Sequence, residues 1–431
     1  MRTVSKTVIG VDFGTQSARA VLVNAENGEI IYSCRKEYPY NSTPVPAIDC
    51  AENLPCATDY EMTLYELLRN VIPEEYRKTV AGICVDATSL TMVLLAEDGR
   101  ALSELDGWSE AAHARVKLWK YHRAQEKADE ALNLARNLQE PFLGRTGGSI
   151  SCEWMLPKLL EVRDEAPEIY SKIDLAMDLC EFLTFRLTGQ LVRSIGSLSY
   201  KCLWAEDLSF PERTFLNGLR AGFYEEYCHF LRGDVRKLGE CAGVLRSELT
   251  KRWGLPEQIP VATGMLDGHT SLATMGAFEP GDAALIVGTS NVCTVQDRKL
   301  QELKDVCGVA QDGMVTGSCG IDTGQSSTGN MLGWFVEHMA GWQIHREAEE
   351  WKISPHQVLA ERIQKPWENK VIAVDWWSGS RNAPCDLTLR GSMSGLEMDT
   401  KTEDIYLALL QAIACGTGTI LESLSGQGVE I

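Results

Sequence analysis

The sequence predicts an α/β protein built of two lobes, and three observations carry that prediction. Its 431 residues exceed what one ordinary hydrophobic core accommodates. Apolar strand-like runs open the chain and a long stretch of helical periodicity follows them. After Ile259-Pro260 the character changes again, to short β segments rich in Gly, Thr and Ser.

Residues 8–11 and 20–23 read as two apolar strands joined by the turn-rich DFGTQSAR of residues 12–19. Asn27-Gly28 supplies a hairpin turn before Ile30-Ile31. Residues 81–102 again run strand, Asp/Thr-rich turn, strand, a loose internal similarity to the opening segment. From 105 to 186 the apolar positions fall at helical spacing, as in WKYHRAQEKADEALNLARNL, and 225–253 reads as further helix. The GAFEPGD of residues 276–282 is the linker candidate, which gives domains at 1–276 and 281–431. A last helical pattern covers residues 403–424.

Composition narrows the function classes. Hydrophobic residues at 44% and charged residues at 23% are those of a globular protein, not a disordered one. A formal charge of −19 repels nucleic acid, and no local basic patch opposes it. An anionic nucleotide would then be held by backbone N–H groups, one or two cations and Mg²⁺. The 14 cysteines contain no C-x-x-C pair, which excludes a zinc ribbon or thioredoxin-like motif and predicts reduced, packed thiols. The N-terminus has no signal-peptide pattern, and no apolar stretch looks long enough to span a bilayer, so a cytoplasmic protein without membrane contact is expected.

Neither the P-loop G-x-x-x-x-G-K-[ST] nor the H-R-D loop of protein kinases is present. Two Gly/Thr/Ser turns remain as phosphate cradles: Gly14-Thr15-Gln16-Ser17 after Asp12, and Gly288-Thr289-Ser290 after an apolar run. Such turns expose consecutive N–H groups and hydroxyls, and Asp12 could hold hydrated Mg²⁺ through an oxygen. Any single turn of this kind is more often just a hairpin.

Asp12-Phe13-Gly14-Thr15-x-Ser17-x-Arg19 resembles the opening of the FGGY carbohydrate kinases, which have the actin-like ATPase (ribonuclease H-like) fold. Glu153-Trp154-Met155-Leu156-Pro157-Lys158 resembles the first family signature, and Gly391-Ser392-Met393-Ser394-Gly395-Leu396 the second. Trp119-Lys120-Tyr121-His122-Arg123, Gly147-Gly148-Ser149-Ile150-Ser151 and Asp322-Thr323-Gly324-Gln325-Ser326 resemble the ribulokinase branch.

The resemblance implies an ATP- and Mg²⁺-dependent kinase with Arg19 and Gly329 among its nucleotide contacts. It places the sugar between the lobes near Ser89, Trp119, Glu153, Lys201, Asp267 and Asp322. Asp267, in Gly264-Met265-Leu266-Asp267-Gly268-His269, matches the catalytic base, although a lone Asp in such a setting is usually an Asx-turn residue. Lys201 reads equally as a surface lysine, Trp119 as a core residue and Glu153 as a helix N-terminal carboxylate.

Two departures bear on the sugar. Asp322-Thr323 stands where the branch has Glu-Ala, and Met177-Asp178-Leu179-Cys180-Glu181-Phe182 replaces an acidic-Ala-x-Asp-Trp pattern. L-Ribulose is the first choice, with D-ribulose, xylulose or a pentitol behind it. The alternative class is a catalytically silent sugar- or partner-binding member, and a homodimer stays open. The chain ends directly after the helix of the second signature, so the resemblance implies an incomplete second lobe without the adenosine segment, and weak ATP binding.

Overall fold

The computed structural model describes residues 6–38, 54–382, 385–386 and 388–431. The chain divides into two compact units, one of residues 1–143, 150–274 and 310–319, the other of 144–149, 275–309 and 320–431.

The first unit opens as the alternating apolar pattern dictates. Strands β1 (Thr7–Phe13) and β2 (Ser17–Asn24) pair antiparallel, and β3 (Ile30–Glu37) follows the turn in which Gly28 adopts φ +74°. Helix α1 (Ala57–Val71) buries Tyr60, Leu64, Leu67, Leu68 and Val71, one stripe at helical spacing, in the sheet's core cluster. It serves as the crossover to β4 (Val80–Ala87), which lies parallel to β1. Strands Pro260–Ala262 and Cys241–Val244 complete one side of this seven-stranded sheet, and Met265–Leu266 also pairs with β4.

Three sequence expectations need correction. Residues 81–102 do not repeat the opening hairpin: Met92–Leu95 leaves β4 and pairs antiparallel with Leu175–Asp178. The helical stretch from 105 is interrupted: turns run up to Ala124, helix is found at α2 (Gln125–Leu138), α3 (Met155–Glu165), Pro167–Tyr170 and Leu179–Thr188, and the strand Leu175–Asp178 breaks the last two apart. Residues 225–253 contain two short strands, Asp234–Arg236 and Cys241–Val244, because Gly233 and Gly239 take positive φ values of 153° and 84° and end the helical path.

The second unit carries most of a four-stranded sheet in the order Ala283–Val287, Asn291–Asp297, Cys319–Gln325, Gly308–Gln311. Helices Gly329–His338, Gly341–Trp351, Pro355–Arg362 and Thr402–Gly426 enclose a core that includes Phe335, Ile344, Val358, Leu359, Tyr406 and Leu409. By length and composition Thr402–Gly426 is apolar enough to cross a membrane, which corrects the expectation that no such stretch exists. Its Tyr406, Leu409, Ile420 and Leu424 are buried in the unit, and its Thr417 hydroxyl donates to Gln325 Oε1 at 2.8 Å, as a core helix would.

Candidate active site

Alternation along β1 and β4 fixes where their acids point. Val11 and Phe13 are buried around Asp12, and Val85 and Ala87 around Asp86, so both carboxylates face the opposite side of the sheet. The parallel register sets Asp12 beside Asp86, and Met265 pairs with Asp86 on the other side. One step beyond Leu266, Asp267 starts the helix Asp267–Met275. Three carboxylates therefore gather at the carboxyl ends of parallel strands, where open α/β sheets bind ligands.

Their electrostatics differ. Burial pushes Asp86 up to about 8, and the charge of Asp12 and a hydrogen bond with it act in the same direction. Burial likewise raises Asp267, to about 6; the Asp12 charge adds to this, while the N–H groups of Gly268 and Ser89 and the positive charge of Lys201 oppose it. The Gly268 N–H donates to Asp267 Oδ1 at 2.7 Å. Asp267 is thus the more readily ionised of the two, and Asp86 the one held more strongly toward its protonated form. Asp267 belongs to a helix N-terminus, not to the isolated Asx turn that its Gly-rich surroundings suggest.

The Asp12–Asp86 pair fits hydrated Mg²⁺. It offers hard oxygen donors whose mutual repulsion a divalent cation relieves, and Mg²⁺ keeps several waters and phosphate oxygens besides one or two protein carboxylates. Among the described residues no group of three or more His, Cys, Asp or Glu forms a protein-only metal cage. Sequence reasoning named Asp12 and missed Asp86. The signal was there, in the shared Val-Asp of VDFGTQS and VDATS, but only the register makes the two acids neighbours.

The first unit brings Ser89 and Lys201 to Asp267. Lys201 ends the helix Ile195–Lys201, is 7% exposed, and lies with Nζ 6.0 Å from the Tyr200 ring centroid, so it is not a surface strand lysine. The buried Ser89 hydroxyl has no hydrogen-bond partner among the described residues. Trp119 belongs to an irregular segment, packs against the neighbouring core, and donates from Nε1 to Thr15 Oγ1 at 3.1 Å. Glu153 precedes α3 and contacts His122 Nε2 at 3.0 Å. Asp322 is in the second unit, 8% exposed on the strand Cys319–Gln325.

The two Gly/Thr/Ser turns are more constrained than their sequences suggest. Gly14, Thr15 and Gln16 form the first loop, closed by the Gly14 N–H donating to Ser17 O at 3.2 Å. Ser17 itself is buried in β2, where its hydroxyl accepts from Arg35 Nε at 3.0 Å; exposed Arg19 is the register partner of Asp12. In the second unit Gly288, Thr289 and Ser290 link two antiparallel strands. The Gly329 N–H donates to Gly288 O at 2.9 Å, and a Cβ on Gly329 would approach that oxygen to 2.5 Å. Gly329 therefore braces the hairpin, and its N–H is already taken up.

The replaced pattern at 177–182 is scaffold. Asp178 and Glu181 form the capping box of the helix Leu179–Thr188, and Glu181 holds buried Arg193 at 2.7 Å.

Residues 7–274 match the N-terminal domain of the FGGY family of carbohydrate kinases and residues 283–431 its C-terminal domain. A ribulokinase of Halalkalibacterium halodurans is 34% identical over 437 residues, covering 99% of this chain and 78% of the relative. A ribulokinase of Mycolicibacterium smegmatis is 35% identical over 438 residues, with 99% and 77% covered. Among solved structures, the xylulose kinase of Rhodospirillum rubrum is similar in fold, with a TM-score of 0.74 at 20% identity, covering 99% of this chain and 80% of that one.

Proposed function

The chain belongs to the FGGY family of carbohydrate kinases, and from that premise we propose that it transfers the ATP γ-phosphoryl group to a ketopentose, L-ribulose first, with Asp267 as general base. That it is a carbohydrate kinase phosphorylating a sugar with ATP follows from the family and its relatives. The ketopentose is suggested by relatives named ribulokinase and by Trp119, Glu153, Lys201 and Asp322, which resemble that branch. D-Ribulose and xylulose are the next candidates.

The observation that carries the mechanism is the placement of the Asp267 carboxylate at the start of its helix, accepting from the Gly268 N–H at 2.7 Å and from the Ser89 N–H, within the influence of the Lys201 charge. It accepts the proton of the sugar 5-hydroxyl as the new O–P bond forms and the bond from phosphorus to the ADP oxygen breaks; the proton then passes to solvent. Ser89, Lys201, Glu153 and Asp322 would orient sugar hydroxyls, and the Trp119 face would cover the C–H side. The two turns would cradle phosphates with backbone N–H groups. Asp12, with Asp86 beside it, would hold hydrated Mg²⁺, which supplies neutralising charge to the phosphates. The setting proposed is the cytoplasm. Phosphorus NMR of the protein with MgATP and L-ribulose tests the reading: a new phosphomonoester signal on C5 supports it, and ATP left intact or hydrolysed to inorganic phosphate contradicts it.

A further inference from the structure

Lys158 is fully buried on α3, yet among the described residues no carboxylate makes a hydrogen bond or ion pair with its ammonium. Nζ instead donates to three backbone carbonyls, Leu90 O at 2.7 Å, Leu118 O at 2.9 Å and Lys117 O at 3.4 Å. Three donors radiating from one atom match three acceptors, a match that only a lysine ammonium offers. Burial pushes this ammonium down to about 7, so the site strains against charge and is held by its acceptors.

Each carbonyl belongs to a segment with a second anchor. Leu90 has φ +62°, a conformation that a leucine rarely adopts, and its N–H donates to Asp178 Oδ2 at 2.9 Å. Leu90 is thus pinned at both its N–H and its C=O, and its neighbour Ser89 offers an N–H to Asp267. Leu118 immediately precedes Trp119. One turn further along α3, Glu161 accepts from Tyr121 Oη at 2.8 Å and faces Lys117 Nζ at 3.3 Å. The irregular segment 117–121 is therefore fastened to α3 on both sides of Trp119.

We infer that Lys158 is a positioning residue: through the carbonyls of Leu90 and Leu118, one buried ammonium fixes both the turn that presents Ser89 to Asp267 and the segment that places Trp119. This rests on the proposed sugar site, because only there do the two segments serve one ligand. Without the ammonium two turns lose their common anchor and buried carbonyls lose their donors. Misplacement of reacting or orienting groups by even about 1 Å can cost on the order of 10²-fold in rate.

The test uses the full chain with Lys158→Met, which removes every donor, and Lys158→Gln, which restores a shorter amide donor. Hydrogen exchange measured by mass spectrometry on the unliganded protein should rise in peptides covering 88–92 and 117–121 and stay unchanged in β1 and β2. The ketopentose KM should rise at least about tenfold in Lys158→Met while the MgATP KM moves less than about threefold, with Lys158→Gln between the variant and the parent. A folded Lys158→Met with parental exchange at both segments and a parental ketopentose KM overturns the proposal. So does exchange raised evenly through the first unit, or failure of both variants to fold, since either assigns Lys158 to the core alone. If the parent phosphorylates no ketopentose, the proposed function fails, and exchange at the two segments still reports on Lys158.

Discussion

Asp12 and Asp86 are register partners on adjacent parallel strands, and their carboxyl groups share a hydrogen bond. That pairing separates the three acids: Asp12 and Asp86 act on one another, with Asp86 held toward its protonated form, while Asp267 lies within the influence of Lys201 and is raised less.

Asp267→Asn should lower kcat at least about 10²-fold, because an amide cannot accept the hydroxyl proton. The melting temperature should be no lower than that of the parent, since a buried charge is removed. A variant within about tenfold of the parental rate, roughly 1.4 kcal/mol of barrier, would remove Asp267 from the role of base.

The pH dependence follows from the same residue. A base must be unprotonated, and Asp267 is raised to about 6, so kcat/KM in the free enzyme should fall as pH drops through about 6. An acid limb near 4, the ordinary carboxylate range, would contradict the electrostatics described.

Asp86→Asn should change how stability responds to pH. Asp86 is raised to about 8, so between about pH 4 and 8 the native state binds a proton that the unfolded chain does not, and this group's contribution to stability declines as pH rises through that window. The asparagine variant lacks that contribution. Melting temperatures recorded at pH 6 and pH 8 should therefore fall less in Asp86→Asn than in the parent; equal declines would show that the pair shares no proton.

Asp322→Glu restores the longer carboxylate of the ribulokinase branch. If Asp322 orients a sugar hydroxyl, kcat/KM for L-ribulose should change by several-fold upward while that for MgATP stays within about twofold. No change for any ketopentose would take the residue out of the sugar site.

Much of this was legible in the sequence, for physical reasons that particular residues make plain. The strands around Asp12 were visible because apolar alternation and the Asn27-Gly28 turn are local signals. Asp267 and Lys201 could be named from their motifs, but their mutual electrostatic influence joins residues 66 positions apart and needed the fold. Asp86 was missed because its significance is a register with β1, across the intervening crossover helix. Trp119 sat in a segment whose spacing imitated a helix; its path is set by Lys158 and Glu161 on α3, which no local pattern reports. Pairing of Met92–Leu95 with Leu175–Asp178 was hidden in the same way.

The central claim is tested most directly by a coupled ADP-release assay with Mg²⁺ across L-ribulose, D-ribulose, xylulose, pentitols, glycerol and aldohexoses. The account predicts the highest kcat/KM for a five-carbon 2-keto sugar, L-ribulose foremost, and loss of that turnover in Asp267→Asn. A higher kcat/KM for glycerol or an aldohexose than for every ketopentose would contradict it.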